Sequence, residues 1–193
     1  MKVIGITGNL GCGKSTVAGM LRARSVVTID ADEVSRDVRQ TDEMARAAIL
    51  ARFGSLEPAA IAAQVFGEND GMALVDLEAI IHPRVRDRVR ARLAELAEGG
   101  VGFAAVEAIK LLESPLHDAC DQTWVVVCDE AEARRRLIEE RGMSEADIDA
   151  RLARQSRQAV KIAAAEVVID GSATLAETER QVSEALGRLK ART

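Results

Sequence analysis

The segment Gly8–Ser15, which reads GNLGCGKS, has the residue types and spacing of a phosphate-binding loop. It satisfies the pattern G-x-x-x-x-G-K-[S/T], in which glycines let backbone N–H groups face phosphate oxygens. In this pattern the lysine reaches the β- and γ-phosphates, and the hydroxyl side chain can ligate Mg²⁺. An apolar run precedes the segment and a helical pattern follows it, which is the context that the motif requires. The residues expected to hold the nucleotide are Asn9, Leu10, Gly11, Cys12, Gly13, Lys14, Ser15 and Thr16, with Ser15 as the metal ligand.

Motifs that the sequence lacks narrow the kind of nucleotide-binding protein. A switch GTPase would carry an N-K-x-D guanine-recognition motif, and protein kinases carry H-R-D and D-F-G. None of these three motifs occurs in the chain. The sequence therefore favours a small-molecule kinase.

Five short apolar runs that end in a polar or acidic residue predict the strands of a parallel sheet, because nearly continuous apolar runs are typical of strands covered on both faces. The runs are residues 2–7, 25–30, 101–107, 123–128 and 166–170. Helical patterns separate them, among them 83–98, 130–141 and 144–160, and a last helix begins at the capping box of Thr174 and Glu177. The expected fold is α/β, a three-layer P-loop NTPase fold. It has a five-stranded parallel sheet flanked by helices, in a single domain over residues 1–193.

Two segments fit this alternation poorly. Residues 42–82 are helical and polar with no strand among them, and residues 138–160 are charged and rich in arginine. Both are interpreted as insertions on the sheet, where parts that close over a ligand usually lie.

Acidic residues follow the second predicted strand, in the sequence IDADEVSR (29–36). The carboxyl end of a parallel strand lies on the ligand side of the sheet, so this end is expected beside the phosphate loop. Asp32 could there accept the proton of a hydroxyl that attacks the γ-phosphate. The alternative is that Asp30 or Asp32 only caps the next helix.

Four segments together resemble the dephospho-CoA kinase family. They are GITGNLGCGKSTVA (5–18), IDADEVSR (29–36), LEAIIHPRVR (77–86) and ERGMSEADIDARLARQ (140–155), in the family's order and spacing. The resemblance implies transfer of the ATP γ-phosphate to the ribose 3′-hydroxyl of dephospho-CoA, with Mg²⁺. It further implies that residues 42–82 receive dephospho-CoA and that residues 138–160 close as a lid.

The same resemblance assigns roles to individual residues. Asp32 would align the acceptor hydroxyl, while Lys14 and Arg141 would offset the charge that develops on the transferring phosphate. The other residues expected at the acceptor are Arg36, His82, Pro83, Arg86 and Glu113, and Arg151 with Gln155 match an R-x-x-x-Q pair beside the lid. By spacing alone, Arg141 could equally lie on a solvated helix face, and His82 could be a buried residue at a helix start.

Three positions depart from the family pattern. Ile109 stands where a proline is usual, Pro58 replaces an arginine, and Gly171 replaces an asparagine near the adenine. These departures concern the affinities for adenine and acceptor, and they leave the expected reaction unchanged. Two rival functions remain open, a kinase for another hydroxylated metabolite such as a nucleoside, and a nucleotide-binding regulatory module.

Composition limits the partners. A net charge of −5 argues against general nucleic-acid binding, and no apolar run approaches the length that spans a membrane. The three cysteines form no CxxC pair and no metal-ligand spacing, which points to a reducing compartment and a cytoplasmic protein. A monomer or weak homo-oligomer is expected.

Cys12 is unusual because it lies inside the phosphate loop. The start of the following helix and Lys14 would favour its thiolate, so ATP would protect a reactive Cys12 from alkylation. The alternative is a small residue that only fills the space.

Overall fold

The computed structural model describes residues 1–65 and 71–192. The strands are β1 (Lys2–Gly8), β2 (Val27–Asp30), β3 (Phe103–Glu107), β4 (Gln122–Val127) and β5 (Val167–Asp170). They form a parallel sheet of five strands in the order β2-β3-β1-β4-β5 within the described residues. The predicted α/β fold with a five-stranded parallel sheet is confirmed.

The helices that connect and flank the strands are α1 (Lys14–Arg22), α2 (Ala31–Thr41), α3 (Glu43–Phe53), α4 (Pro58–Val65), α5 (Met72–Glu98), α6 (Glu130–Arg141), α7 (Glu145–Leu152), α8 (Gln158–Ala163) and α9 (Leu175–Lys190). Two boundaries differ from the sequence prediction. Helix α5 begins at Met72 and contains Pro83, because apolar residues four apart continue the same helix face on both sides of the proline. The helix predicted over 144–160 is two helices, α7 and α8.

The described residues form two compact units. The first comprises Met1–Ile29 and Leu96–Thr193, and the second comprises Asp30–Glu95. The predicted insertion at 42–82 belongs to the second unit and contains α3, α4 and the start of α5, while its residues 66–70 lie outside the described residues. No helix of the described ranges is long and apolar enough to cross a membrane.

In the first unit, one face of the sheet packs against α1 and α9. Ile4 and Ile6 of β1 lie in a buried cluster with Trp124, Val17 of α1 and Val182 of α9. Burying such side chains removes apolar surface from water, which is the main favourable term in folding. This packing fixes the start of α1, and hence the phosphate loop, against the carboxyl end of β1.

On the opposite face of β1, the chain after β3 packs closely. A Cβ placed on Gly5 would lie 2.6 Å from Leu111 Cδ2 and 2.8 Å from Cys120 Sγ, so only glycine leaves room for this segment. The hydroxyl of Thr7 donates to the carbonyl of Ile109 at 3.0 Å. These contacts hold the segment that follows β3 against the strand that leads into the phosphate loop.

In the second unit, ion pairs join α5 to the region where α2 ends. Arg88 pairs with Asp37, and Arg84 Nη1 lies 3.3 Å from Asp42 Oδ1. Asp42 also caps α3, since its carboxylate accepts from the N–H of Ala45 at 2.9 Å. The Ala45 N–H lowers the pKa of Asp42, and the two arginines add to that effect. The unit is thereby fixed by capping and ion pairs in addition to its apolar face.

Candidate nucleotide-binding site

The phosphate loop runs from the end of β1 to the first residue of α1, as the sequence predicts. Gly11 and Gly13 have positive φ angles of 83° and 91°, a conformation that residues with a side chain rarely adopt. A Cβ on Gly8 would lie 2.2 Å from the carbonyl oxygen of Val126. Each of the three glycines is therefore required by backbone geometry, and α1 begins at Lys14 with its N–H groups at the loop.

Lys14 lies buried within the loop. Its Nζ donates to the carbonyls of Gly8 at 3.0 Å and Asn9 at 3.3 Å. The N–H of Cys12 also donates to the Asn9 carbonyl, at 3.3 Å. Part of the donor set that would face phosphates is thus bonded inside the loop itself. Thr16, the last residue of the predicted set, lies exposed in the first turn of α1.

The side chain of Ser15 faces a carboxylate that was not among the residues predicted for the site. Its Oγ donates to Glu107 Oε1 at 2.9 Å, and Glu107 is 8% exposed at the carboxyl end of β3. Magnesium in phosphate sites is commonly held by one or two oxygen side chains together with substrate phosphates. A hydroxyl and a carboxylate side by side fit that requirement. The signal for Glu107 was present in the sequence, as the acidic end of the apolar run 101–107.

Strand order explains why Glu107 was missed. The sequence predicts the end of β2 beside the phosphate loop, but β3 lies between β2 and β1 in the sheet. The acidic residue at the carboxyl end of the strand adjacent to β1 is therefore Glu107. The carboxyl end of β2 lies at the same edge of the parallel sheet as the loop, but β3 separates it from β1.

Arg136 of α6 lies close to the phosphate loop. Its Nη2 donates to the carbonyl of Gly171 at 2.8 Å, and its Nε donates to Glu132 at 2.8 Å. A Cβ built on Gly13 would lie 3.8 Å from Arg136 Nη1, so this guanidinium lies over the start of α1. Hydrogen bonds from Arg135 and then Arg136 lower the pKa of Glu132 to about 2.

Arg141 lies five residues further along, at the exposed C-terminal end of α6. Five residues rotate a side chain to a different helix face, so Arg141 and Arg136 point in different directions. The role of Arg141 at the transferring phosphate stays a prediction.

The predicted lid segment 138–160 contacts the phosphate loop at Leu10. The side chain of Leu10 packs in an apolar cluster with Leu137 of α6 and Ile148 of α7. The main-chain N–H of Leu10 donates to Gln155 Oε1 at 3.0 Å. Residues between 137 and 155 therefore contact both the side chain and the main chain of Leu10. Arg134 also joins α6 to α7 through Glu145 and Asp149, at 2.8 Å and 2.6 Å.

The structure changes the expectation for Cys12. Cys12 forms a disulfide bond with Cys128, which directly follows β4, across a sequence separation of 116 residues. In this bonded state Cys12 is neither a free thiolate nor merely a small residue that fills space. The spacing of the cysteines gave no sign of the pairing, because the order of β1 and β4 in the sheet brings them together.

The carboxylates after β2 have separate roles in the second unit. Asp30 is the helix cap, since its Oδ1 accepts from the N–H groups of Asp32 at 2.8 Å and Glu33 at 3.1 Å. Asp32 is not the cap, and it is exposed in the first turn of α2. Arg36 follows four residues later, so the two side chains share a helix face. Capping, the alternative offered for Asp30 or Asp32, is therefore the role of Asp30, and the role of Asp32 at the acceptor stays a prediction.

The other predicted acceptor residues divide between the two units. His82 and Pro83 are exposed within α5, so the interpretation of His82 as a buried residue at a helix start was wrong. Arg86 lies on the same helix, with its Nε 3.2 Å from Asp87. Glu113 is exposed in the first unit, in the segment after β3. Their contact with an acceptor stays a prediction.

Lys161 is a buried cation that the sequence analysis did not single out. It is 1% exposed, and its Nζ donates to the carbonyl of Ile109 at 3.2 Å, the same carbonyl that Thr7 contacts. Burial lowers the pKa of Lys161, and the charge of Glu113 opposes that shift. Lys161 therefore fixes the segment that carries Glu113. It does so through the main-chain carbonyl of Ile109, and the Ile109 side chain is not involved in this hydrogen bond.

Comparison with known proteins shows which family the sequence matches. The sequence model of the dephospho-CoA kinase family matches residues 2–177. A dephospho-CoA kinase of Geobacter sulfurreducens is 38% identical over 95% of this chain and 96% of its own length. One from Corynebacterium glutamicum is 35% identical over 96% of this chain and 98% of its own.

Solved structures agree in fold. A crystal structure from Thermus thermophilus is 30% identical, with a TM-score of 0.83 over 97% of both chains. A dephospho-CoA kinase from Campylobacter jejuni superposes with a TM-score of 0.72 at 20% identity over all of both chains, which shows the shared fold. With the family model matching residues 2–177, the chain belongs to the dephospho-CoA kinase family.

Proposed function

We propose that this protein transfers the γ-phosphate of ATP to the 3′-hydroxyl of dephospho-CoA, the last step of coenzyme A biosynthesis. The observation that carries the proposal is a phosphate loop with its Ser15–Glu107 pair, in a chain that matches this family over most of its length. The oxygen of the acceptor hydroxyl forms a bond to the γ-phosphorus, the bond from that phosphorus to the bridging oxygen breaks, and ADP leaves.

The first unit supplies the groups for the donor. Backbone N–H groups of the loop and the first turn of α1 bind phosphate oxygens, and Lys14 would turn from the Gly8 and Asn9 carbonyls toward the β- and γ-phosphates. Magnesium, when bound, offsets the charge of these phosphates, and Ser15 with Glu107 would hold it. Arg136, which lies over Gly13, adds positive charge at the same end of the loop. Arg141 is proposed to reach the transferring phosphate when the 138–160 lid closes.

The second unit supplies Asp32 for the acceptor. Because Asp30 already caps α2, the carboxylate of Asp32 is not needed for capping. Asp32 is proposed to align the hydroxyl and take its proton during transfer. The acceptor would also contact Arg36, His82, Pro83, Arg86 and Glu113, and residues 42–82 would receive it.

The chemistry also suggests where the protein works and in what state. An ATP-dependent step of cofactor synthesis is expected in the cytoplasm. A monomer or weak homo-oligomer is expected, and size-exclusion chromatography with light scattering would measure it.

The decisive experiment measures ATP consumption with and without dephospho-CoA and identifies the product by mass spectrometry. We expect consumption to require dephospho-CoA and to yield one 3′-phosphorylated product per ADP. Nucleosides serve as alternative acceptors, and faster turnover with one of them would assign a different metabolite kinase. ATP consumption that ignores every acceptor would contradict the proposal and favour a regulatory nucleotide-binding module.

A further inference from the structure

The disulfide bond between Cys12 and Cys128 joins the phosphate loop to the segment after β4. Cys12 stands between Gly11 and Gly13, the two loop residues with positive φ angles near 90°. The two Cα atoms are 5.1 Å apart, and the residues are 1% and 7% exposed. A covalent bond therefore enters the loop at the point where its backbone must face the phosphates.

The main chain around Cys12 is fixed as well. A Cβ on Gly171 would lie 2.1 Å from the carbonyl oxygen of Cys12, so this carbonyl lies directly against Gly171. The N–H of Gly171 in turn donates to the carbonyl of Val127 at 2.7 Å. Gln158 Oε1 accepts from the N–H of Cys128 at 3.2 Å and lies 3.9 Å from Cys12 Sγ. With the disulfide intact, the centre of the loop has little freedom to move.

With the disulfide formed, hydrogen-bond donors of the loop bind acceptors of the loop itself. The N–H of Cys12 and the Nζ of Lys14 both donate to the Asn9 carbonyl, each at 3.3 Å. Binding of nucleotide phosphates requires these donors to turn toward the ligand. A bond that holds Cys12 against Cys128 opposes that rearrangement.

We propose that Cys12 and Cys128 form a thiol–disulfide exchange site that controls nucleotide binding, in which the bonded pair weakens ATP binding and reduction restores it. The proposal goes beyond phosphoryl transfer and depends only on ATP binding by the loop. In a reducing cytoplasm the dithiol is the resting form, and oxidation turns nucleotide binding down.

The exchange partner is a disulfide compound for oxidation and a dithiol for reduction. In oxidation, the Cys128 thiolate attacks an external disulfide and expels one external thiolate. The Cys12 thiolate then attacks the mixed disulfide, forms the internal bond and expels the second external thiolate, so that two protein protons pass to the external thiols. Reduction runs in reverse, and the dithiol leaves as a cyclic disulfide.

The two cysteines are suited to different steps of this exchange. Cys128 is the more exposed of the two, so an external thiol enters there. Cys12 directly precedes Gly13, the N-cap of α1, and the positive end of the helix dipole favours its thiolate as the leaving group. Cys120 takes no part, because burial raises the pKa of its thiol to about 12 and its Sγ donates to the Leu116 carbonyl.

The test measures the ATP dissociation constant by titration calorimetry, without acceptor, after incubation with dithiothreitol or with its oxidised cyclic form. We expect the reduced protein to bind ATP about tenfold more tightly, the effect of one or two hydrogen bonds that must be exchanged. Alkylation after denaturation should label one cysteine in the oxidised protein and three in the reduced protein.

Two variants separate the bond from general effects of oxidation. Cys128→Ser removes the bond but lies outside the loop, so it should bind ATP like the reduced protein under both conditions. Cys120→Ser, the matched control, should keep the full response.

Three outcomes would overturn the proposal: equal affinities in both redox states, tighter binding in the oxidised state, or labelling of three cysteines after oxidation. If Cys128→Ser does not fold, the ATP affinities of the oxidised and reduced unmodified protein still test the proposal. Because no acceptor is used, failure of the kinase assay would leave this result unaffected, and the reverse also holds.

Discussion

The hydroxyl of Ser15 donates a 2.9 Å hydrogen bond to Glu107 Oε1, joining the first turn of α1 to the carboxyl end of β3. The pair brings a neutral oxygen ligand and a carboxylate together at the end of the phosphate loop. Glu107 is 8% exposed, and burying a charged carboxylate costs free energy unless it is paired. The proposed role of Glu107 in holding magnesium can be tested directly.

Glu107→Gln should lower kcat by about 10- to 100-fold and raise the Mg²⁺ concentration needed for half-maximal rate, because the amide cannot replace a carboxylate near the metal. The measurement is a Mg²⁺ titration of the kinase rate, with ATP affinity in the absence of Mg²⁺ as a second readout. Glu98→Gln, at the exposed end of α5, is the matched control. An unchanged Mg²⁺ dependence would contradict a role for Glu107 in metal binding.

Gln155→Leu should raise KM for ATP about tenfold, because the N–H of Leu10 loses its acceptor and the loop loses one of its two connections to the 138–160 segment. KM for dephospho-CoA should stay unchanged, which a general loss of stability would not produce. Gln40→Leu, on the exposed face of α2, is the control for the added apolar side chain. Equal changes in both KM values would show that Gln155 has only a structural role.

Asp32→Asn should lower kcat by about a hundredfold or more while ATP affinity stays the same, because a general base of this kind acts only on the acceptor hydroxyl. Substitution of the nearby Asp30 should have a different effect. Asp30→Ala should lower the free energy of unfolding by about 1 kcal/mol, because it removes the cap of α2. Steady-state kinetics and thermal unfolding measure the two effects, and equal loss of turnover and ATP binding in Asp32→Asn would mark Asp32 as structural.

Gly171→Ala should destabilise the protein by about 2 kcal/mol and weaken ATP binding, since its Cβ would lie 2.1 Å from the Cys12 carbonyl and displace the loop. Gly187→Ala is the matched control, because a Cβ there meets nothing within 4 Å on helix α9. That substitution should stabilise the protein by about 0.5 to 1 kcal/mol. Melting temperatures of the two variants would test the contrast, and similar values would mean that the loop can move away from Gly171 at little cost.

Local patterns in the sequence were sufficient for much of the fold. The apolar runs correspond to β1 through β5, and helix α6 has its predicted bounds of 130 and 141. The predicted N-cap of α9 is present, with Thr174 Oγ1 accepting from the N–H of Glu177. Each of these features depends on residues near one another in the chain, which is why spacing reveals them.

Helix boundaries were less predictable where a local signal competed with packing. Pro83 is a common first residue of a helix, and the sequence prediction began a helix there. In the structure Ile81, Val85 and Val89 continue one buried face, so α5 continues through the proline. Burial of that face compensates for the one hydrogen bond that proline cannot donate.

The sequence by itself determined the phosphate loop, because a glycine-rich turn between a strand and a helix is encoded in eight adjacent residues. It also determined the family, through motifs whose order and spacing can be read without a structure. The tertiary structure decided that Glu107 is the carboxylate beside Ser15, that Gln155 holds Leu10, and that Cys12 bonds to Cys128. These contacts join residues 92 to 145 positions apart, and the disulfide spans 116. Such pairs depend on the order of strands in the sheet, which no local pattern specifies.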